Sequence, residues 1–160
     1  MAPGLSLAGL LKLSRESQYA LKAMAYLAEQ PPGTVLGAKQ VADGARIAGP
    51  FAAKILLQLR GGGLLLSHRG SQRGYELARA PSEISVREVL EAVEGEDLFQ
   101  RCVFWSHTCS DATPCMLHPV WQSVRPQVAD LMGRLTLADV IRSDFTAVAT
   151  TLGFAAPDFR

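Results

Sequence analysis

The stretch from Pro50 to Leu77 constrains this chain most: a proline-started apolar segment closed by Gly61-Gly62-Gly63, then two strand-like runs around S-H-R-G-S-Q-R-G. Proline is well placed at a first helical position, where its missing N–H would have had no partner. Phe51, Ile55, Leu56 and Leu59 give one apolar helical face, and the three glycines end it. Leu64-Leu65-Leu66 and Tyr75-Glu76-Leu77 read as antiparallel strands, with Gly70 and Gly74 freeing the connecting backbone. Arg69 and Arg73 put cations at the tip of that hairpin, within reach of phosphates.

The residues upstream complete a motif. Ser14 has the character of an N-cap, and Tyr19, Ala20, Ala23, Met24 and Leu27 recur at helical spacing up to the break at Pro31-Pro32-Gly33. Ala38 to Ala45 suits a short helix burying Val41 and Ala42, and Gly44 to Gly49 supply turn material before Pro50. Two helices split by a short turn make a helix-turn-helix, the later one being the recognition helix. With the basic hairpin added, the expected unit is a winged helix.

Charge distribution agrees. From Gly44 to Tyr75 the chain has five basic residues (Arg46, Lys54, Arg60, Arg69, Arg73) and no acid, whereas Glu76 to Arg101 carries seven acids against three arginines. A basic block followed by an acidic one suits a polyanion-binding module joined to a regulatory part, although two solvated faces of one domain would look the same by charge alone. At 160 residues the chain suits one domain plus an accessory helix. No apolar run approaches the ~20 residues a membrane span needs. The first residues lack the basic start and long apolar core of a secretory signal, so a cytoplasmic location without a membrane partner is expected.

All three cysteines and two of the three histidines fall between Cys102 and His118. A reducing compartment favours thiolate ligands over disulfides, and three cysteines cannot all pair internally. Their spacings are C-x6-C and C-x5-C, followed by C-x2-H. Structural zinc sites use tighter C-x2-4-C pairs, so the wide spacing suits wrapping around an iron–sulfur cluster held by Cys102, Cys109, Cys115 and His118, with His107 as rival to His118. Loose cysteines without metal are the bland alternative.

Ser85-Val86-Arg87-Glu88 has the form of a capping box, starting a helix that should end at Gly95. From Pro119, the apolar residues Val120, Trp121, Val124, Val128, Leu131, Met132 and Leu135 mark a long amphipathic helix in which Pro126 predicts a kink or restart. So apolar a helix has little of its own chain left to cover and is expected to pack on a second subunit. Thr136-Leu137-Ala138-Asp139 reads as the capped start of a last short helix.

Three segments carry a family resemblance. They are K-L-S-R-E-S-Q-Y-A-L-K-A-M-A-Y-L-A from Lys12, F-A-A-K-I-L-L-Q-L-R-G-G-G-L-L-L-S-H-R-G from Phe51, and G-Y-E-L-A-R-A-P-S-E-I-S from Gly74. Over about residues 12 to 142 the chain resembles the Rrf-two family of bacterial winged-helix regulators, which includes an iron–sulfur cluster regulator, a nitric-oxide-sensing repressor and a rhizobial iron regulator. The resemblance implies a mainly α fold with a small β-hairpin wing: a winged helix-turn-helix plus a long C-terminal dimerisation helix. It implies a homodimer on a near-palindromic double-stranded DNA operator, with the three-cysteine loop as the cluster site. His118 matches the histidine ligand of the cluster regulator, which favours a 2Fe-2S cluster over 4Fe-4S.

Three departures qualify the carry-over. Gln18 stands where the nitric-oxide sensors have an acidic ligand, Ala53 where the cluster regulator has an operator-discriminating glutamate, and Arg73 where a wing glycine is common.

The expected organisation is therefore an arm over residues 1–11, a winged-helix domain over 12–95, a cluster loop over 96–118, dimerisation helices over 119–142 and a tail over 143–160. The expected function is transcriptional regulation, with repression the expected sign, under control of the cluster. Pro50, Phe51 and Lys54 would approach base edges, while Arg60, Arg69, Ser71, Gln72 and Arg73 would contact phosphates or the minor groove. The same fold with a thiol, zinc or protein-partner switch is the alternative, and an electron-transfer protein a weaker one. A cysteine enzyme is not expected, because Cys109 and His107 sit close along one loop with no third group to orient them.

Overall fold

The structure is a computed structural model that describes residues 14–102 and 109–142. Six helices and one hairpin follow in the order α1 (Arg15–Ala28), α2 (Ala38–Ala45), α3 (Gly49–Gly61), β1 (Leu65–His68), β2 (Gly74–Leu77), α4 (Val86–Glu94), α5 (His118–Arg134) and α6 (Leu137–Ile141). The fold is mainly α with a two-stranded antiparallel wing. No helix of the described residues is long and apolar enough to cross a membrane.

Each start has a local cause. Ser14 accepts the Ser17 backbone N–H and opens α1, as expected from its residue type. α2 ends on Arg46, whose φ of 55° and ψ of 53° place a non-glycine residue in the left-handed region at the centre of the helix-turn-helix. α3 starts one residue before Pro50 and runs into the glycine stop. Ser85 and Thr136 each form the expected capping box, opening α4 and α6. The two caps also pair with one another: the Val86 N–H donates to the Leu135 carbonyl and the Leu137 N–H to the Ile84 carbonyl, at 2.8 and 2.9 Å. This fastens the end of α5 to the start of α4.

The main core lies where α1, α2, α3 and the wing meet. Met24, Val41, Ile55, Leu56, Leu59, Leu64, Leu65, Ile84 and Val89 are sealed in it, and Leu137 joins from α6. The wing strand runs from Leu65 to His68 rather than from Leu64 to Leu66, and Leu64 and Leu65 are both sealed in the core. Leu65 pairs with Leu77 and His68 with Gly74. Gly74 has a steric reason to be glycine: a Cβ there would lie 2.5 Å from the Leu36 carbonyl oxygen. That close approach lets Leu36 and Tyr75 exchange two backbone hydrogen bonds, tying the wing to the segment before α2.

A smaller apolar cluster joins α4 to α5 through Val86, Leu90, Phe99 and Ala129, with Val128 and Met132 against it. α5 therefore has more intrachain work than its sequence pattern predicts. Trp121 and Ala129 face its own chain, while Val120 and Val124 remain 62% and 40% exposed on another side. Pro126 lies within the continuous span of α5. The bond it cannot make would have gone to the Gln122 carbonyl, on an exposed turn of helix that water can reach.

Candidate DNA interface and cysteine site

The eight residues expected at DNA, Pro50, Phe51, Lys54, Arg60, Arg69, Ser71, Gln72 and Arg73, are all exposed. The structure brings them together in two places. Pro50, Phe51, Lys54 and Arg60 ride on α3, and the other four occupy the loop between β1 and β2. Arg60, Arg69 and Arg73 line one crevice with His68 and Gly37, so the end of the recognition helix and the wing share a basic surface.

Two of these side chains do more than their sequence suggests. Phe51 lies outside the buried face, where Ala52 takes the core position, and its ring is tilted against that of Tyr19 at 5.8 Å between centroids. Lys54 is ion-paired with Glu16 of α1. On the wing, His68 Nε2 meets Glu76 Oε1 at 2.8 Å across the strands.

At the other end, Cys102, Cys109 and Cys115 are half-buried and no disulfide joins them. Cys109 Sγ lies 3.0 Å from His118 Nδ1. His118 is buried at the start of α5, and its Nε2 lies 2.8 Å from Asp111 Oδ1, which also accepts from Gln122 Nε2 at 3.2 Å. The sequence reading missed Asp111, whose only signal was its place in the same polar loop. A carboxylate on the far nitrogen of an imidazole fixes the ring and directs the other nitrogen, here Nδ1, toward Cys109. The hydrogen bond from His118 holds the Asp111 carboxyl below the usual carboxylate range. Burial pushes the Cys109 thiol up; the Arg125 cation opposes this, while Cys102, Cys115 and Asp111 add to it. All three sulfurs thus lie within one electrostatic neighbourhood. His107 lies outside the described residues.

Among the described residues no three His, Cys, Asp or Glu side chains converge where one ion would sit. Soft thiolates with one oriented imidazole fit a polynuclear iron–sulfur group, whose ligands are spread over more than one iron.

Backbone and side-chain contacts anchor this loop. The Cys109 N–H donates to the Gln100 carbonyl at 3.1 Å, Trp121 Nε1 donates to the Arg101 carbonyl at 3.1 Å, and the His118 N–H donates to the Cys115 carbonyl at 3.0 Å. Arg101, beside Cys102, donates to Asp97 Oδ1 at 2.6 Å and to the Glu94 carbonyl. The Glu94 side chain then accepts from the Ser14 N–H at 3.1 Å and from Ser17 Oγ at 2.6 Å, both at the start of α1. Nothing in the sequence pattern marked Glu94 or Ser17, since their pairing spans 77 residues.

A helix-turn-helix with a basic wing, followed by a cysteine site, defines a winged-helix regulator of transcription. Comparison makes the class specific. The Rrf2 family, described as iron-dependent transcriptional regulators, matches residues 13–143, and the chain belongs to it. It is 34% identical over 130 residues to the Mycobacterium tuberculosis protein Rv1287, named as an HTH-type transcriptional regulator, covering 81% of each chain. Among solved structures it is similar to T. potens IscR, with 27% identity, a TM-score of 0.66 and coverage of 86% of this chain and 90% of that one. It is also similar to the oxidised form of Staphylococcus aureus CymR, at 25% identity, TM-score 0.62 and coverage of 81% and 95%. The relatives are regulators, and this chain is not an enzyme.

Proposed function

We propose that the chain is a cytoplasmic homodimeric repressor whose grip on a double-stranded operator is set by an iron–sulfur cluster, of the 2Fe-2S type, held by Cys102, Cys109, Cys115 and His118. The observation that carries this reading is the oriented pair at its centre: a buried imidazole, fixed by Asp111, that presents Nδ1 to Cys109 Sγ at 3.0 Å. When bound, the cluster supplies sensitivity to iron, oxygen or nitric oxide. The chain's own residues supply the transmission. Arg101 and Glu94 link the loop to the start of α1, and Glu16 of α1 holds Lys54 on α3. A change in the loop thus reaches α1, whose own ion pair touches the recognition helix. Val120 and Val124, exposed one turn apart on α5, are the proposed centre of the contact between copies.

The test is purification without oxygen. Brown protein containing iron and acid-labile sulfide, with visible absorption lost in Cys109→Ala and His118→Ala, is the expected outcome. Colourless protein whose operator binding responds to a thiol oxidant would instead establish a cysteine switch. That second reading is supported by the likeness to oxidised CymR. Light scattering should give a dimer that Val124→Asp converts to monomer.

A further inference from the structure

The outward face of α3 has an unusual chemistry for a helix that reads DNA. At about 3.6 residues per turn, positions separated by seven lie on nearly one line. Ala52, Ile55, Leu56 and Leu59 fill the core, so the opposite line runs through Pro50, Leu57 and Gly61, with Ala53 beside it. Leu57 stands at the middle of that line, 56% exposed. The groups on either side are accounted for: Lys54 is paired with Glu16, Arg60 lines the crevice shared with the wing, and Gln58 donates to the Val93 carbonyl. No carboxylate or amide occupies the centre of the line, so the paired hydrogen bonds by which such groups read adenine or cytosine are not available there.

We infer that Leu57, with Ala53, is a specificity-determining pair that recognises thymine 5-methyl groups in the major groove of the operator. This rests on the DNA-binding reading. The major-groove edge of a base pair offers an apolar side chain one partner, the thymine methyl. The fit is supported by size and by charge. A helix with its side chains is about 10–12 Å across and the groove about 12 Å wide. The apolar line is flanked by Arg60, whose crevice continues into Arg69 and Arg73 on the wing, a cationic border suited to the phosphates lining a groove. The exposed valines of α5 lie on another element, so a contact between copies does not need Leu57.

The test starts from duplexes selected by the purified full-length protein out of a random pool. Each thymine of the selected site is then replaced by deoxyuridine, which removes only the methyl group. Replacement at one or two positions per half-site is expected to weaken wild-type binding about three- to five-fold. Leu57→Ala should bind the thymine and deoxyuridine duplexes alike, and Leu57→Met should retain the discrimination. Because Leu57 is exposed, the variants should melt like wild type, and circular dichroism checks this. Wild-type binding indifferent to every methyl group would overturn the inference, as would undiminished discrimination by Leu57→Ala. A change of oligomeric state in Leu57→Ala with thymine discrimination intact would assign the leucine to a contact between copies instead. Failure to select any sequence would remove the DNA-binding reading, and the inference with it.

Discussion

The winged-helix half and the cysteine-bearing half are held together by different physics. In the first, residues from α1, α2, α3 and the wing fill a continuous apolar core in which Met24, Ile55, Leu56 and Leu59 are all sealed from water. In the second, four buried residues, Val86, Leu90, Phe99 and Ala129, are supplemented by contacts such as Trp121 to Arg101 and His118 to Asp111. Close packing resists deformation, because every displacement opens a void. A segment held by few apolar contacts and by hydrogen bonds open to water rearranges at lower cost. The contrast predicts that the first half resists deformation more than the second.

The contrast breaks most readily in the core. Leu59→Ala should cost about 2–5 kcal/mol in denaturant unfolding, since the cavity lies among fixed neighbours. A cost under about 1 kcal/mol would mean that this half yields as easily as the other.

Glu94, which joins the halves, comes next. Glu94→Gln should destabilise by about 1–3 kcal/mol, because Ser14 and Ser17 lose a charged acceptor. Burial alone would raise the Glu94 pKa, but the hydrogen bonds from Ser14 and Ser17 and the charge of Arg101 outweigh it and leave it lowered. A carboxylate with a depressed folded-state pKa stabilises above its unfolded value, and that stability disappears as pH falls through the folded value. Thermal unfolding of the wild type should therefore decline below about pH 5, and more shallowly in Glu94→Gln. Equal slopes would remove Glu94 as the join.

Ser85→Ala tests the capping box that opens α4. Losing the cap should cost about 1 kcal/mol, read by chemical denaturation. The smallest effect on stability belongs to the wing tip. Arg69→Ala with Arg73→Ala should leave unfolding unchanged within about 0.5 kcal/mol, yet lower the slope of log affinity against log salt by about two for operator and random DNA alike. An unchanged salt slope would place the wing away from phosphate.

Much of the frame was legible because its signals are local. Ser14, Ser85 and Thr136 cap the helices their residue types announce, and Gly95, with φ of 102°, ends α4 as expected. The hairpin was found, with β2 to within one residue, while β1 begins one residue and ends two residues later than expected. Less was legible where one residue type permits two roles. Phe51 reads as part of the apolar face by spacing, yet Ala52 fills the core and Phe51 turns toward Tyr19. α5 reads as a helix for a partner, yet Trp121 and Ala129 cover its own chain.

The sequence by itself determined the succession of helices, the glycine-closed recognition helix, the basic wing and the cysteine-histidine set. Caps, turns and periodicity act over a few residues, and their chemistry is written in residue type. Only the tertiary structure decided that Asp111 orients His118, that Glu94 reaches Ser17, and that Glu16 restrains Lys54. Such pairs depend on how packed helices set their side chains in space, and the short-range patterns of a chain do not encode that arrangement.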